Sequence, residues 1–402
     1  MVAPERSSFS FRSYLSGIGA ASLANGIHLV LYPWILVGVL NASPHLVGLA
    51  QMALLLPNLL FVLPGGLLSD RKSGGRILPG LYLLYLIPIA TLLVAGYISE
   101  LAYGWVVMFG ICFGCITAFV QPARESLIGQ IDNPMIQQTV AKVMVVQFMA
   151  QGIGFGLSGA IDYIGLPSLL LAEMWLFLMA AWFMHRSVRD VSFHPTDKAD
   201  RSLGLGSYLI LLRQRQLRDL FLVVASNGML AFGAYMVVVP ILVREVYQEG
   251  AAFFASAQLL FTLGVVTVNA YLSRHRNMRL AGRWLIGSLM VRGVLLALLV
   301  FELPTPLFYT ITFAWGLLTG SAMTFGRGMM HSAVADAERS RAASLYQMAL
   351  FGSAPLGAWL VGLSIDALSL TVTLLLFAGL TIAAATSALL FTGLIRREER
   401  AV

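Results

Sequence analysis

Charge is scarce in this chain. Of its 402 residues only 11% are Asp, Glu, Lys or Arg, whereas 58% are hydrophobic, and the mean hydropathy is +0.82. A soluble domain carries about a quarter charged residues, so a water-soluble enzyme or binding module is excluded and a polytopic membrane protein is implied. Cysteine is scarcer still, with Cys112 and Cys115 the whole complement. They spell C-x-x-C but sit inside an apolar run with no zinc partners nearby, which reads as helix packing rather than redox or metal chemistry. Also missing are His-Glu-x-x-His, Gly-x-Ser-x-Gly and any clustered acid pair at one membrane level, so an intramembrane enzyme finds no support. No catalytic residue, metal or cofactor is expected. Residues 1–13 lack the charged, apolar and cleavable regions of a signal peptide, so no segment is expected to be removed.

What the chain has in abundance is apolar runs long enough to cross a bilayer, about 20 residues each. They fall near 14–40, 45–68, 77–98, 102–123, 142–164, 166–185, 219–243, 251–273, 283–302, 305–326, 342–366 and 370–395, which predicts twelve spans. The net charge of +7 raises nucleic acid as a partner, and the placement of the basic residues answers it. With the N-terminus inside and the spans alternating, all 26 Lys and Arg residues except Arg244 and Arg292 fall on one side. That is the positive-inside pattern. The basicity records topology, no nucleic-acid partner is expected, and both termini should be cytoplasmic.

Residues 186–218 break the apolar pattern with Arg186, Arg189, Asp190, Asp197, Lys198, Arg213, Arg215 and Arg218 among others. They are expected to link an N-terminal six-helix bundle, 1–185, to a C-terminal one, 219–402. Leu209 to Leu217 within the linker is amphipathic and basic, and reads either as a helix on the inner membrane surface or as a plain extension of the next span. A weak internal repeat supports the division. Leu68-Ser69-Asp70-Arg71 recurs loosely as Leu272-Ser273-Arg274-His275, and Ile161-Asp162 recurs at the same offset as Ile365-Asp366. Two similar bundles rocking about a midplane site are what alternating access needs.

Between the second and third spans stands Gly65-Gly66-Leu67-Leu68-Ser69-Asp70-Arg71-Lys72-Ser73-Gly74-Gly75-Arg76, with Gly66 and Asp70 four residues apart on one helical face and Arg71 next. With the six-plus-six spans and the basic linker, this loop resembles the signature of major facilitator superfamily transporters, and the resemblance covers nearly the whole chain. Gln121-Pro122-Ala123-Arg124, and Glu338 to Leu345 followed by Pro355-Leu356-Gly357, resemble the branch containing the enterobactin exporter and macrolide efflux proteins. The resemblance implies an all-α membrane fold of twelve transmembrane helices in two pseudo-symmetric six-helix bundles. It further implies a monomeric secondary transporter in the cell inner membrane that exports a small amphipathic molecule, a siderophore or hydrophobic drug, by proton-coupled alternating access. Import of a nutrient or lipid by the same fold is the alternative. The expected partners are the substrate, protons and the lipid bilayer. In the family, the acid corresponding to Asp70 latches the outward-open state against the N-terminal end of the eleventh helix, near the residue corresponding to Arg124. A carboxylate gains about 0.3–1 kcal/mol from such a helix end, and Gly66 would allow close approach. The fifth span departs from the antiporter pattern: Gly152 to Gly159 keeps the glycines but has Phe155 where a proline would stand.

Ionisable side chains inside spans cost about 2.5–3.5 kcal/mol on insertion scales, and few are present. Asn25, His28 and Tyr32 share one face of the first span. His28 is either a substrate or proton contact, since an unperturbed imidazole titrates near pH 6.5, or a neutral histidine satisfied inside the bundle. Glu173, flanked by Leu169 to Leu171 and Trp175 to Leu178, is either a proton-coupling carboxyl group or a protonated structural acid; Asp70 is the third proton candidate. Arg292 lies mid-span and cannot neutralise itself. It reads as half of a structural ion pair, with Glu173 conceivable across the halves, or as a contact for an anionic ligand. The resemblance places the first, fourth, seventh and tenth helices around the cavity. Their candidates are Thr117 and Gln121 above Arg124 on the fourth, Asn227, Phe232 and Tyr235 on the seventh, and Thr312 and Trp315 with Phe308 and Thr319 on the tenth. Such stripes read as packing or as a large, aromatic, mildly polar pocket, too poor in hydrogen-bonding groups for a sugar.

Overall fold

The computed structural model describes residues 10–72, 74–98, 101–130, 136–189, 205–274, 280–334 and 338–394. Among them there is no strand, and every expected apolar run has become helix, the only open-chain structure that satisfies its own backbone in lipid. The long helices are α1 (Phe11–Trp34, extended by a π-helical turn Ile35–Val39), α2 (Pro44–Lys72), α3 (Gly74–Leu84 and Leu86–Ile98, joined through Tyr85), α4 (Tyr103–Gln130), α5 (Ile136–Gly159) and α6 (Leu166–Val188). After a short helix at Leu205–Arg213 come α7 (Arg215–Ser226, continued through Asn227–Phe232, Gly233–Ile241 and Leu242–Val246), α8 (Ala251–Arg274), α9 (Ala281–Leu298), α10 (Thr305–Ala333), α11 (Arg339–Ala367) and α12 (Leu370–Phe391). Ten of these are long and apolar enough to cross a membrane by length and composition; α5 and α10 are the exceptions. The first is diluted by Gln137, Gln138, Lys142, Gln147 and Gln151, the second by its Thr, Ser and Gly residues.

The repeat suspected in the sequence is written into the backbone. Pro33 precedes the π turn Ile35–Val39 as Pro240 precedes Leu242–Val246. The Ala42 amide donates to the Leu36 carbonyl and the Glu249 amide to that of Val243. Asn41 and Gln248 then take left-handed φ values of 47° and 52° before α2 and α8 begin. Gly165 and Ser369, immediately before α6 and α12, are the other two positive-φ residues among those described.

The chain divides into two compact units, Met1–Ile35 with Pro57–Arg201 and Leu36–Leu56 with Ser202–Val402. In the first, α1 packs on α5 and α6, and α3 on α4 and α6. In the second, α7 packs on α11, α8 on α10, and α9 on α10 and α12. Buried side chains run round most of α1 and α7, whereas Leu171, Trp175 and Trp182 on α6 and Leu389, Leu390 and Phe391 on α12 stand exposed. Exposed apolar flanks of this size are what a helix shows to lipid.

Candidate functional site

In the first unit α1 is drawn onto α5 at one crossing. A Cβ on Gly154 would collide with the Leu23 carbonyl, and one on Gly26 with that of Gln151, so the backbones touch there. Ser158 Oγ donates to the Ile27 carbonyl at 2.8 Å. Of the glycines in the fifth span Gly154 makes the close approach, with Phe155 buried beside it, whereas Gly156 is exposed and faces open space. This crossing fixes His28, one residue on. Its ring lies parallel to that of Phe113 on α4, with centroids 3.5 Å apart, and against Tyr32 and Phe109.

Facing His28 across the bundle is Glu173 on α6, with His28 Nδ1 3.6 Å from Glu173 Oε1. Both side chains are almost wholly buried, 4% and 0% exposed. Among the described residues, neither ring nitrogen and neither carboxylate oxygen has a hydrogen-bond partner. The separation is that of an ion pair and longer than a hydrogen bond. An unsatisfied buried polar group costs about 1–3 kcal/mol, a cost that packing alone does not explain. The pair is net neutral with one shared proton, whether it sits on the imidazole or on the carboxyl group. A further proton, or its loss, leaves net charge in an apolar site, which is costly. Beside them Tyr85, at the break in α3, stacks on Phe177 with centroids 4.3 Å apart, and its hydroxyl lies 2.8 Å from that of Thr117. Thr117 in turn donates to the Phe113 carbonyl.

Among the remaining candidates of this unit, Tyr32 is buried, Asn25 half-buried and Gln121 exposed. Arg124 donates to Gln147 Oε1 on α5 at 2.7 Å. The side chains of Gly66, Asp70 and Arg71 lie outside the described residues, so the expected latch is represented only by its backbone in α2 and by Arg124.

The second unit buries a different kind of group. Arg292 on α9 is 1% exposed; its Nη1 donates to Asn227 Oδ1 at 2.5 Å and its Nε to the Ser288 carbonyl at 3.1 Å. The sequence favoured a carboxylate partner. Among the described residues none pairs with it, and Glu173 belongs to the first unit, where it faces His28. An amide oxygen and a carbonyl spread over the guanidinium in its place. Asn227 reaches it from the π turn Asn227–Phe232, a distortion that recurs at functional positions in helices. Tyr235 donates to Gln258 Oε1 at 2.8 Å and packs against Phe261 and Trp315. Thr312 and Trp315 are buried, and Phe232 meets Phe351 edge-on. Ser288, Gln258, Gln147 and Phe113 had no signal in the sequence, since a lone serine, glutamine or phenylalanine in an apolar run looks like any other.

Long apolar helices in two repeated units, each with a buried polar centre, define a polytopic helical membrane protein. The family model described as Major Facilitator Superfamily matches residues 14–324, and the chain belongs to that family of secondary transporters. No curated protein is significantly similar in sequence. Similar solved structures include a mutant of the nucleoside transporter NupG (13% identity, 94% of this chain and 99% of that one, TM-score 0.74). The POT family transporter PepTSo is comparable (13%, 98% of each chain, 0.73), as is the human organic anion transporter MFSD10 (12%, 96% and 100%, 0.67). At these identities the likeness is one of fold.

Proposed function

We propose that this transporter exports a small amphipathic molecule, of the siderophore or hydrophobic-drug kind, in exchange for protons, as a monomer in the cell inner membrane with both termini cytoplasmic. Bundles 1–185 and 219–402, joined by the linker 186–218, alternate about a midplane site. The observation that carries the reading is the buried His28–Glu173 pair, because two titratable groups sharing one proton in an apolar site suit a carrier that must release one cargo before taking another. The likeness of Gln121 to Arg124 and Glu338 to Leu345 to the enterobactin exporter and macrolide efflux branch supports the outward direction. Substrate loads from the cytoplasm, contacting the aromatic and hydroxyl stripes of α4, α7 and α10. Proton uptake at the pair drives return, and Asp70 with Gly66, Arg71 and Arg124 latches the outward-open state. Arg292 with Asn227 favours a substrate bearing an anionic group.

The test is flux in proteoliposomes under an imposed pH gradient, with siderophores and hydrophobic dyes as probes. Wild type should move a probe against the proton gradient, Glu173→Gln should not, and movement by wild type indifferent to the gradient in either polarity contradicts proton exchange. Cells lacking the protein separate export from import: loss of an exporter raises internal probe, whereas loss of an importer lowers its uptake.

A further inference from the structure

The second unit contains a segment from early in the chain, Leu36–Leu56, and its attachment is specific. At the start of α2 a Cβ on Gly48 would meet the Ala358 carbonyl at 2.5 Å, and one on Gly362 would strike the Pro44 carbonyl. The backbones of α2 and α11 therefore touch over one helical turn. At the rim of this contact His45 Nδ1 bonds Asp366 Oδ2, the His45 amide donates to the same oxygen at 3.3 Å, and Ser43 Oγ lies 3.2 Å from Nδ1. Arg244, at the end of α7, donates to Asn41 Oδ1 at 3.3 Å. Its neighbour Glu245 stands within electrostatic reach of Asp366. The His45 and Asp366 side chains are 46% and 28% exposed, so water and protons reach them.

We propose that residues 41–48 form an external clasp, held on α11 by the His45–Asp366 ion pair and on α7 by Arg244 with Asn41, which must release before the transporter opens outward; this rests on the transport reading and on its orientation. Histidine is the side chain whose charge ordinarily changes between about pH 5 and 8. When His45 carries a proton it neutralises Asp366 and screens it from Glu245. When that proton leaves, two carboxylates face each other, with Arg244 turned towards Asn41, and the clasp loosens. The device is one-sided. Asp162, the repeat counterpart of Asp366, is exposed and has no such partner among the described residues, and Ala252 occupies the place of His45 in the second half.

The test needs no substrate. In a Cys112→Ser, Cys115→Ser background, Val47→Cys places a thiol at a fully buried position beneath the clasp. Its labelling by a membrane-impermeant maleimide is timed on right-side-out and inside-out vesicles, normalised to denatured protein at each pH. Labelling from outside should be about two- to fivefold slower at about pH 5.5 than at about pH 8, the range an exposed ion pair supports. Asp366→Asn and His45→Gln should each give the fast rate at both values, and the exchanged pair His45→Asp with Asp366→His should restore the slow one. Equal rates in all variants overturn the clasp while leaving transport untouched. Labelling from the inside-out side alone overturns the orientation on which it stands.

Discussion

The two units solve the same problem, a polar centre inside an apolar bundle, with opposite chemistry. The first sets an acid, Glu173, against a base, His28, 3.6 Å apart with no further partner among the described residues. The second sets Arg292, which stays charged, on the neutral oxygens of Asn227 and Ser288. A proton can enter, leave or move within the first arrangement; in the second nothing titrates between the guanidinium and its partners. One backbone repeat thus holds an acid–base pair in one half and a fixed charge in the other. The comparison predicts a division of labour, with proton handling confined to the first unit and anion attraction to the second.

The strongest way to break this comparison is to remove the fixed charge's partner. Asn227→Leu should lower stability by about 1.5–3 kcal/mol, the worth of a hydrogen bond to a buried charge, read as a lower melting temperature in detergent. Flux by the surviving protein should keep its dependence on the pH gradient. Glu173→Gln should do the reverse. For a carrier exchanging one proton, the accumulation ratio should fall about tenfold per unit of imposed pH gradient, each factor of ten corresponding to about 1.4 kcal/mol. Its stability should change little, since the imidazole left behind can stay neutral. Ser158→Ala removes one hydrogen bond from the α1–α5 crossing and should cost about 1 kcal/mol. A loss of gradient dependence there would mean that the pair depends on the crossing for its spacing. The smallest effect is expected from Asp70→Asn, which should slow conformational switching about two- to fivefold, in line with a carboxylate at a helix end, without abolishing binding of a probe.

Much of the architecture was legible from residues alone, because bilayer thickness fixes the length of each apolar run. His28 and Glu173 were each visible as costly groups inside such runs. Their meeting was not, because residues on the first and sixth spans are brought together only by the Gly26–Gly154 crossing and by α4 and α6 closing round it. For Arg292 the sequence favoured a carboxylate. The π turn at Asn227–Phe232 rotates an asparagine into that place, and no spacing rule foretells a π turn. The repeat was faint in the side chains, with Asp162 and Asp366 its best trace, and plain in the backbone, where Asn41 with Gln248 and Gly165 with Ser369 share left-handed or otherwise positive φ values.

The most direct test of the division is infrared difference spectroscopy of the reconstituted protein between acid and neutral pH, following the protonated carboxyl stretch. The wild type and Arg292→Gln should share one pH-dependent component of that stretch, among those of the chain's 19 Asp and Glu residues, that Glu173→Gln lacks. A difference spectrum that Glu173→Gln leaves unchanged would contradict the assignment of the proton to the first unit.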